Sequence, residues 1–249
     1  MKIIISPAKK MNANEDFIPW ENLPACLGQA EEIHQYLLGL TFEEQKTLWK
    51  CNDEIASLNH QRLKEMSLTK GLVPALLSYE GLQYQYMAPQ VFSNQQWEYV
   101  NKHLVILSGL YGALRPTDGI TPYRLEMQSK FSKPMGSFKD LYKYWGDSIY
   151  KELTKDSNVI LNLASKEYSK AIEKYLAPSD VMVTCTFGTL VEGKFKVKAT
   201  EAKMARGEMV RYLATHQVGE LDGVKGFDSM NYTYSTALST EKEFVFLRG

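Results

Sequence analysis

The chain has 249 residues, and 29 lysines and arginines balance 29 aspartates and glutamates, so its formal charge is zero with neutral histidines. This balance excludes a protein that is basic throughout, as a nucleic-acid coat would be, and it excludes an acidic tail. With 44% hydrophobic and 23% charged residues, the composition is that of a globular protein with a sizeable core. No linker rich in proline, glycine or serine divides the sequence and no repeat recurs, so we expect a single compact domain over residues 1–249.

The amino-terminal apolar stretch, Ile3 to Ile5, is closed at once by Pro7 and two lysines. It is far too short for a signal peptide or a membrane span, and no later apolar run approaches membrane length. Cys26, Cys51 and Cys185 are odd in number and widely spaced, which argues against a disulfide framework and for a reducing compartment. We therefore expect a cytoplasmic protein with no membrane partner.

Helical patterning dominates residues 29–102, where two capping boxes mark helix starts. One box pairs Thr41 with Glu44, and the other pairs Ser93 with Gln96. A second amphipathic helix is predicted further along the chain, from Phe138 to Leu153, with an apolar stripe more typical of a core than of a cofactor site; the stripe consists of Leu141, Tyr142, Trp145, Ile149 and Leu153.

Four short apolar runs predict β-strands without the alternation of a half-exposed strand; they are Ile3 to Ile5, Leu104 to Leu107, Val159 to Leu163 and Val181 to Phe187. Helical patterns separate several of them. This order favours a mixed or mainly parallel central sheet surrounded by helices over an all-β sandwich. The predicted fold class is therefore α/β or α+β.

Three of the predicted strands end in small polar residues followed by a turn and a cation; the segments are Ser6-Pro7-Ala8-Lys9, Ser108-Gly109 leading to Arg115, and Asn162-Leu163-Ala164-Ser165-Lys166. The carboxyl ends of parallel strands meet at one edge of a sheet, where loops and helix amino termini bind ligands. The pattern therefore predicts an anion site at that edge. The alternative is that the serines cap helices and the lysines are solvated.

The turn after the second strand carries Gly109 and Gly112, whose spacing would let backbone amides face a phosphate. It is no nucleotide fingerprint, because both the three-glycine dinucleotide pattern and the Walker loop are missing. A plain turn fits it equally well. Beyond the turn, Arg115 and Arg124 are candidates to clamp a phosphate with Glu126 orienting one of them, and a structural salt bridge is the alternative.

Cations concentrate over residues 194–211, where six basic residues meet two acidic ones. Alternation along a strand places three lysines on one face and two apolar residues inward; these are Lys194, Lys196 and Lys198, and Phe195 and Val197. Lys203 and Arg206 are three apart and therefore share a helix face. This predicts a local phosphate-tracking surface, whereas an edge strand guarded by lysines against aggregation is the alternative.

Metal and nucleophile signatures are missing from the sequence. The four histidines have none of the usual ligand spacings, and neither a Cys-x-x-Cys motif nor a Gly-x-Ser-x-Gly elbow occurs. We therefore expect no dedicated metal site, no cofactor and no catalytic nucleophile.

Six short motifs stand in a characteristic order along nearly the whole chain: Ser6-Pro7-Ala8-Lys9; Leu107 to Gly112 with Leu114-Arg115-Pro116; Pro122 to Met127; Leu141-Tyr142 with Trp145-Gly146; Asn162 to Ser165 with Glu167-Tyr168; and Lys203 with Ala205-Arg206-Gly207. In this order the sequence resembles the YaaA family of peroxide-stress proteins. The resemblance implies a cytosolic bacterial protein that helps the cell survive hydrogen peroxide, linked to limiting free iron and the hydroxyl-radical damage that iron causes to DNA.

The resemblance also implies one domain of unusual fold, with a basic cleft and a helix-hairpin-helix-like element that binds double-stranded DNA. The family-motif cations expected to contact phosphate are Lys9, Arg115, Arg124, Lys203 and Arg206. Polar and glycine positions expected at the same cleft are Ser6, Ser108, Gly109, Gly112, Asn162 and Ser165.

The hairpin element has two candidate positions. Asn52 to Met66 has a helix-turn-helix outline but lacks the glycine that brings hairpin amides close to a phosphate, so its Arg62 and Lys64 are weaker candidates. Leu110 to Gly112 is the glycine-bearing alternative. Because the sequence offers no iron-ligand cluster, an effect on iron is expected to be indirect.

Two functions remain open from the sequence. The first is a non-enzymatic stress protein that holds DNA phosphates with little base readout and steep salt dependence. The second is an enzyme acting on a nucleotide or another phosphorylated small molecule, with Lys9, Tyr123 or Glu126 as acid or base. Its strand-end cluster consists of Ser6, Lys9, Ser108, Arg124 and Ser165.

Overall fold

The computed structural model describes residues 1–13 and 18–249. In that part of the chain the strands are β1 (Lys2–Ile5), β2 (Lys10–Met11), β3 (Val73–Pro74), β4 (Tyr79–Glu80), β5 (Leu104–Ser108), β6 (Gly112–Leu114), β7 (Gly119–Ile120), β8 (Lys130–Met135), β9 (Phe138–Asp140), β10 (Val159–Leu163), β11 (Val181–Val191), β12 (Lys194–Lys196), β13 (Tyr232–Tyr234) and β14 (Glu243–Arg248).

The helices of the same residues are α1 (Leu27–Leu38), α2 (Phe42–Trp49), α3 (Asp53–Glu65), α4 (Ala75–Ser78), α5 (Leu82–Met87), α6 (Asn94–His103), α7 (Leu141–Trp145), α8 (Ser148–Leu153), α9 (Lys166–Glu173), α10 (Ala199–Thr215) and α11 (Leu221–Val224). Short 3₁₀ helices cover Pro89–Val91 and Ser229–Asn231.

The central sheet has the strand order β13-β14-β11-β10-β1-β5-β6, and β12 pairs with β11. The inner strands β14, β11, β10, β1 and β5 run parallel to their neighbours, whereas β6, β12 and β13 run antiparallel to theirs. All four predicted strands are among the parallel ones. The prediction of an α/β fold with a mixed central sheet surrounded by helices is confirmed.

The strands at the centre of the sheet are buried on both faces, as their unbroken apolar runs predict. Ile3, Ile4 and Ile5 of β1 have no exposed surface. Burying a side chain of this size contributes about 1.5–3 kcal/mol, so β1 stabilises the core at the position where it pairs with two neighbours. This rigid strand supports the segment that follows it.

Helix prediction is confirmed at the two capping boxes and only in part over residues 138–153, which form two short helices instead of one. Both boxes form, with each hydroxyl accepting from a backbone amide of the first turn. Residues 138–153 form β9, α7 and α8. Gly146, with φ at +52°, ends the first helix, and Asp140 caps its start by accepting from the amide of Lys143. Leu141, Trp145 and Ile149 are all buried, so the prediction that the apolar stripe faces the core is confirmed.

The lysine-rich strand forms, but one of its apolar residues faces solvent. β12 pairs antiparallel with the end of β11, and the ring of Phe195 lies against the backbone of Gly188, where a Cβ would be 2.6 Å from it. Val197 lies beyond the strand and is 48% exposed. The inward position predicted for Val197 is therefore wrong, because the pairing stops before it.

Neither candidate stretch forms two helices joined by a hairpin. Asn52 caps one continuous helix, α3, by accepting from the amide of Ile55, and no turn interrupts that helix before Met66. Leu110 to Gly112 belongs to the tight turn that reverses the chain from β5 to β6. The helix-hairpin-helix element is therefore not found at Asn52 to Met66 or at Leu110 to Gly112.

The three cysteines are free, in agreement with the sequence prediction. Among the described residues, no helix is both long enough and apolar enough to cross a membrane.

Helices α5 and α10 touch at a glycine. A Cβ on Gly207 would lie 2.0 Å from the carbonyl oxygen of Gln83, so only glycine allows this approach. Ala205 and Met209, which flank this region of α10, are also buried. The contact fixes the position of the α10 face that carries Arg206.

Replacing Gly207 by alanine tests this contact. The new methyl group collides with backbone, which a side-chain rotation does not relieve, so we expect G207A to lower the free energy of unfolding by about 1–3 kcal/mol. Urea unfolding measures it. The matched control is G28A in α1, where a Cβ meets nothing within 4 Å. Equal unfolding midpoints for the two variants would contradict the contact.

Candidate anion-binding cleft

A cavity of about 380 Å³ lies beyond the carboxyl ends of β1 and β10 and is hereafter called the cleft. Its walls come from the segment after β1, the β4–α5 connection, the loop that follows β7, the start of α9, and α10. Six residues predicted from the sequence line it: Ser6, Lys9, Arg124, Ser165, Lys203 and Arg206. The prediction that strand-end residues meet at one sheet edge holds for Ser6, Lys9 and Ser165, which follow β1 and β10, whereas Lys203 and Arg206 reach the cleft from α10.

The floor of the cleft depends on the register between two parallel strands. Ile5 of β1 lies opposite Leu163 of β10, so the residues that follow them are neighbours. The hydroxyl of Ser6 donates to Ser165 Oγ at 3.2 Å and accepts from the Ser165 amide at 2.8 Å. The Tyr84 hydroxyl donates to the Ser6 carbonyl at 2.9 Å. These bonds join β1, α5 and the start of α9.

Glu126 holds two of the predicted cations. Its Oε2 is 2.9 Å from Lys9 Nζ, and its Oε1 is 3.5 Å from Arg124 Nη2. The Arg124 side chain is only 11% exposed, and its Nε has no hydrogen-bond partner in the described structure. The sequence hypothesis that Glu126 orients Arg124 therefore agrees with this geometry, as does the alternative of a salt bridge.

Lys203 and Arg206 lie on the same wall, one helical turn apart on α10. Within residues 1–13 and 18–249, neither side chain has an ion pair or a hydrogen bond, and the Nε of Arg206 is buried. Burial lowers the pKa of Arg206, because the charged form loses solvation. Lys203 is exposed at the rim. The charge on this wall is therefore uncompensated.

Several cleft residues were not found by sequence reasoning. Glu167 lines the cleft, accepts from the Gln128 amide at 3.2 Å and has its pKa raised by burial. Glu80 at the end of β4 and Gln83 in the first turn of α5 also line the cleft. The motif pair Glu167-Tyr168 was a signal for the first of these. The sequence around Gln83 carries no signal, because its role follows from helix packing.

The two glycines of the predicted phosphate turn lie outside the cleft lining. The amides of Leu110 and Tyr111 already donate to the hydroxyl of Ser108, at 3.2 and 2.9 Å. Ser108 is itself fully buried, and its Oγ is 2.6 Å from the Tyr123 hydroxyl. Because the turn amides bond internally, they are not directed at a ligand.

Packing explains why these positions are glycines. A Cβ on Gly109 would be 2.6 Å from the carbonyl oxygen of Leu125, so Gly109 lets the segment carrying Arg124 approach the sheet. Gly112 has φ of +72° and faces the ring of Trp145. Neither glycine lines the cleft; both allow close packing between segments next to it.

Arg115 lies away from the cleft, at the end of the sheet where the parallel strands begin. Because β6 runs antiparallel to β5, the hairpin carries Arg115 back toward the amino end of β5. There it lines a separate cavity of about 230 Å³, with its Nη2 3.8 Å from Glu152. The expectation that Arg115 shares one cleft with Lys9 is therefore wrong. Asn162 is likewise internal, since it bonds Thr184 Oγ1 and the Ala164 amide.

The cleft carries a positive excess. Its lining contains five cations and three carboxylates; these are Lys9, Lys10, Arg124, Lys203 and Arg206, and Glu80, Glu126 and Glu167. Lys10 pairs with Glu80, as Lys9 and Arg124 do with Glu126. Among the described residues, no group of three or more His, Cys, Asp or Glu is placed to hold a metal ion. The lining therefore has a formal charge of +2, from five cations and three carboxylates.

Glu126→Gln tests the ion-pair cluster. The change leaves the largely buried Arg124 without a counter-charge, so we expect the free energy of unfolding to fall by about 1–3 kcal/mol. Denaturant titration measures the loss. D147N, which removes the carboxylate of an exposed pair with Lys151, is the control and should change stability little. A stable E126Q protein would argue against the cluster.

Comparison with known proteins agrees with the resemblance seen in the sequence. A family model described as "Peroxide stress protein YaaA" matches residues 1–238. A "UPF0246 protein" of Lachnoclostridium phytofermentans is 49% identical over 249 residues, covering 100% of this chain and 97% of the relative. Those of Agathobacter rectalis and Pediococcus pentosaceus are 48% and 46% identical over 248 residues, covering 100% of this chain and 99% and 98% of the relatives. The chain therefore belongs to the YaaA family of peroxide stress proteins.

Proposed function

We propose that this protein binds double-stranded DNA at the rim of the cleft, with little sequence specificity, and thereby limits iron-dependent oxidative damage to DNA. Membership of a peroxide stress family gives the setting. The observation that carries the proposal is the uncompensated positive charge on α10, next to the cations that follow β1. Phosphates are the acidic groups that every DNA sequence presents.

The exposed cations at the rim of the cleft are suited to contacts with the phosphate backbone of DNA. Lys9 has a 64% exposed side chain and Lys203 is exposed, so both reach a duplex that is too wide to enter the cavity. The β11–β12 hairpin rises from the same carboxyl edge of the sheet and adds Lys194 and Lys196. Lysine ammonium groups act as point charges toward phosphate, and such contacts do not distinguish one base from another. This supports binding that is not sequence-specific.

The proposed effect on iron follows from counterion release. A protein that neutralises phosphates displaces the cations condensed on them. Ferrous ions are among the cations that phosphates attract, so DNA covered by the rim holds less iron where hydroxyl radicals would form. This route needs no iron site in the protein.

Removing one rim charge gives a direct test. Lys203→Met is expected to weaken duplex binding uniformly across sequences and to reduce the slope of log K against log salt by about 0.9. Fluorescence anisotropy with a labelled duplex over a salt series measures both. Wild-type dissociation constants of about 10⁻⁴ to 10⁻⁶ M at physiological salt are expected.

Arg115→Met is the matched control, because it removes one cation from the opposite edge of the sheet. It should bind as wild type does. Equal loss in R115M and K203M would place binding elsewhere on the surface. Tight binding that ignores salt would contradict a phosphate-based contact altogether.

A second function, binding of a phosphorylated small molecule, is favoured by the concave shape of the cleft. Small-molecule sites typically enclose about 300–1,000 Å³, and the cavity of about 380 Å³ lies in that range. Burial raises the pKa of Tyr123 to about 12, and its hydroxyl contacts Ser108 and Tyr79, so it is a poor base near neutrality. Glu167 is the carboxyl group of the lining with a raised pKa.

This second function predicts a pH dependence. Protonating Glu167 removes a negative charge from the cleft, so affinity for a phosphodiester should increase as pH falls through the raised pKa of Glu167. Glu167→Gln should bind more tightly at neutral pH and lose the dependence. Calorimetry with dimethyl phosphate, which does not titrate in this range, measures the effect. E173Q at the far end of α9 should keep the dependence, and a flat wild-type profile would contradict this role.

A further inference from the structure

The close contact of α5 with α10 brings two donor side chains to one wall of the cleft. Gly207 lets α10 approach the carbonyl of Gln83, and Arg206 precedes that glycine. Both Gln83 and Arg206 line the cleft. Helix packing, rather than a loop, therefore positions them, and this gives the pair the rigidity that a binding site needs.

Both side chains have buried donors without a partner in the described structure. These are Gln83 Nε2 and Arg206 Nε. Gln83 is 7% exposed, and Arg206 has no ion pair or hydrogen bond. Buried donors are normally paired, and a largely buried guanidinium without a counter-charge is unfavourable.

The residues around Arg206 do not supply the missing negative charge. Cys185 lies close enough to affect the pKa of Arg206, but burial raises the pKa of the Cys185 thiol far above neutrality, so it stays uncharged. Glu126 is engaged with Lys9 and Arg124. Glu80 pairs with Lys10 and Glu167 accepts from the Gln128 amide, so no carboxylate of the lining is paired with Arg206, which is left available to an acidic ligand.

The net charge of the cleft indicates which acceptor this is. The five cations and three carboxylates of the lining leave two positive charges. A phosphate monoester carries about −1.5 to −2 at pH 7 and offers three acceptor oxygens, whereas a DNA phosphodiester carries a single charge. A planar guanidinium and an amide N–H together match two oxygens of one phosphate group.

The carboxylates of the lining add a second requirement. Glu126 and Glu167 belong to the lining of the same cavity, where Glu126 pairs with Lys9 and Arg124 and Glu167 accepts from the Gln128 amide. Carboxylates accept hydrogen bonds, so they favour a ligand portion that bears hydroxyl or amino donors and disfavour a second anion. This arrangement suits a phosphate at one end and a polyol at the other.

We propose that Arg206 and Gln83 form the phosphate subsite of a pocket for a small phosphate monoester whose remaining part carries hydroxyl groups. This inference rests on the second function above, the binding of a phosphorylated small molecule, and is independent of duplex binding at the rim. Arg206 supplies the charge and Gln83 a neutral donor.

The test uses thermal unfolding and calorimetry of the full chain with inorganic phosphate, ribose 5-phosphate and ribose. Inorganic phosphate and ribose 5-phosphate should raise the melting temperature of the wild type, and ribose should not. Arg206→Met and Gln83→Leu should each weaken ribose 5-phosphate binding by at least about tenfold. Arg211→Met, an exposed arginine of the same helix outside the cleft lining, should bind as wild type does.

Stability without ligand separates a binding role from a structural one. If Arg206 serves a ligand, R206M melts at the same temperature as the wild type or higher, because an unpaired buried charge has been replaced by an apolar side chain. A lower melting temperature for R206M together with unchanged ribose 5-phosphate affinity would overturn the proposal. If R206M does not fold, Q83L decides, since retained affinity in Q83L overturns the subsite and lost affinity supports it.

A duplex titration of the same proteins separates the two functions. No response of the wild type to either phosphate probe, with duplex binding intact, overturns the subsite and leaves the DNA proposal standing. Ribose 5-phosphate binding that R206M abolishes, in a protein with no affinity for duplex, supports the subsite and removes the DNA proposal.

Discussion

The parallel pairing of β1 with β10 is the constraint on which the cleft depends. It places Ile5 opposite Leu163, so that Ser6 and Ser165 emerge side by side and bond to each other. The segment that carries Lys9 and the start of α9 then leave the sheet in neighbouring directions. A shift of this register by one residue would exchange the two faces of β1 and separate Ser6 from Ser165. The core and the cleft are thus fixed by the same set of backbone hydrogen bonds.

A second constraint acts through the helices. Gly207 allows α10 to lie against the carbonyl of Gln83, and this contact sets how deeply Arg206 enters the cleft. The result is locally unfavourable, since burial lowers the pKa of Arg206 and no partner in the described residues compensates for it. Proteins keep such unfavourable groups where function needs them. The rim, by contrast, carries the solvated cations Lys9 and Lys203, so the cleft combines exposed and desolvated cations.

How far the sequence predicts this arrangement depends on the kind of pattern involved. Unbroken apolar runs predicted the parallel strands, and helical spacing placed Lys203 and Arg206 together, because both patterns are local. The reversal of the chain after Ser108 carries no strong local signal, so Arg115 was expected in the cleft although it lies at the other edge. Gly109 and Gly112 have their reason in the backbone of Leu125 and the ring of Trp145. Such contacts between distant segments are not visible in a single sequence.

The proposal that phosphate binds at the α10 wall of the cleft has a direct spectroscopic test. The side-chain Nε–H resonances of arginine report this directly in a ¹⁵N-labelled protein titrated with inorganic phosphate. The account predicts that the Arg206 resonance shifts and saturates, because its Nε is buried and unpartnered without ligand, while the Arg115 resonance stays in place. A shift at Arg115 with no change at Arg206 would contradict the account.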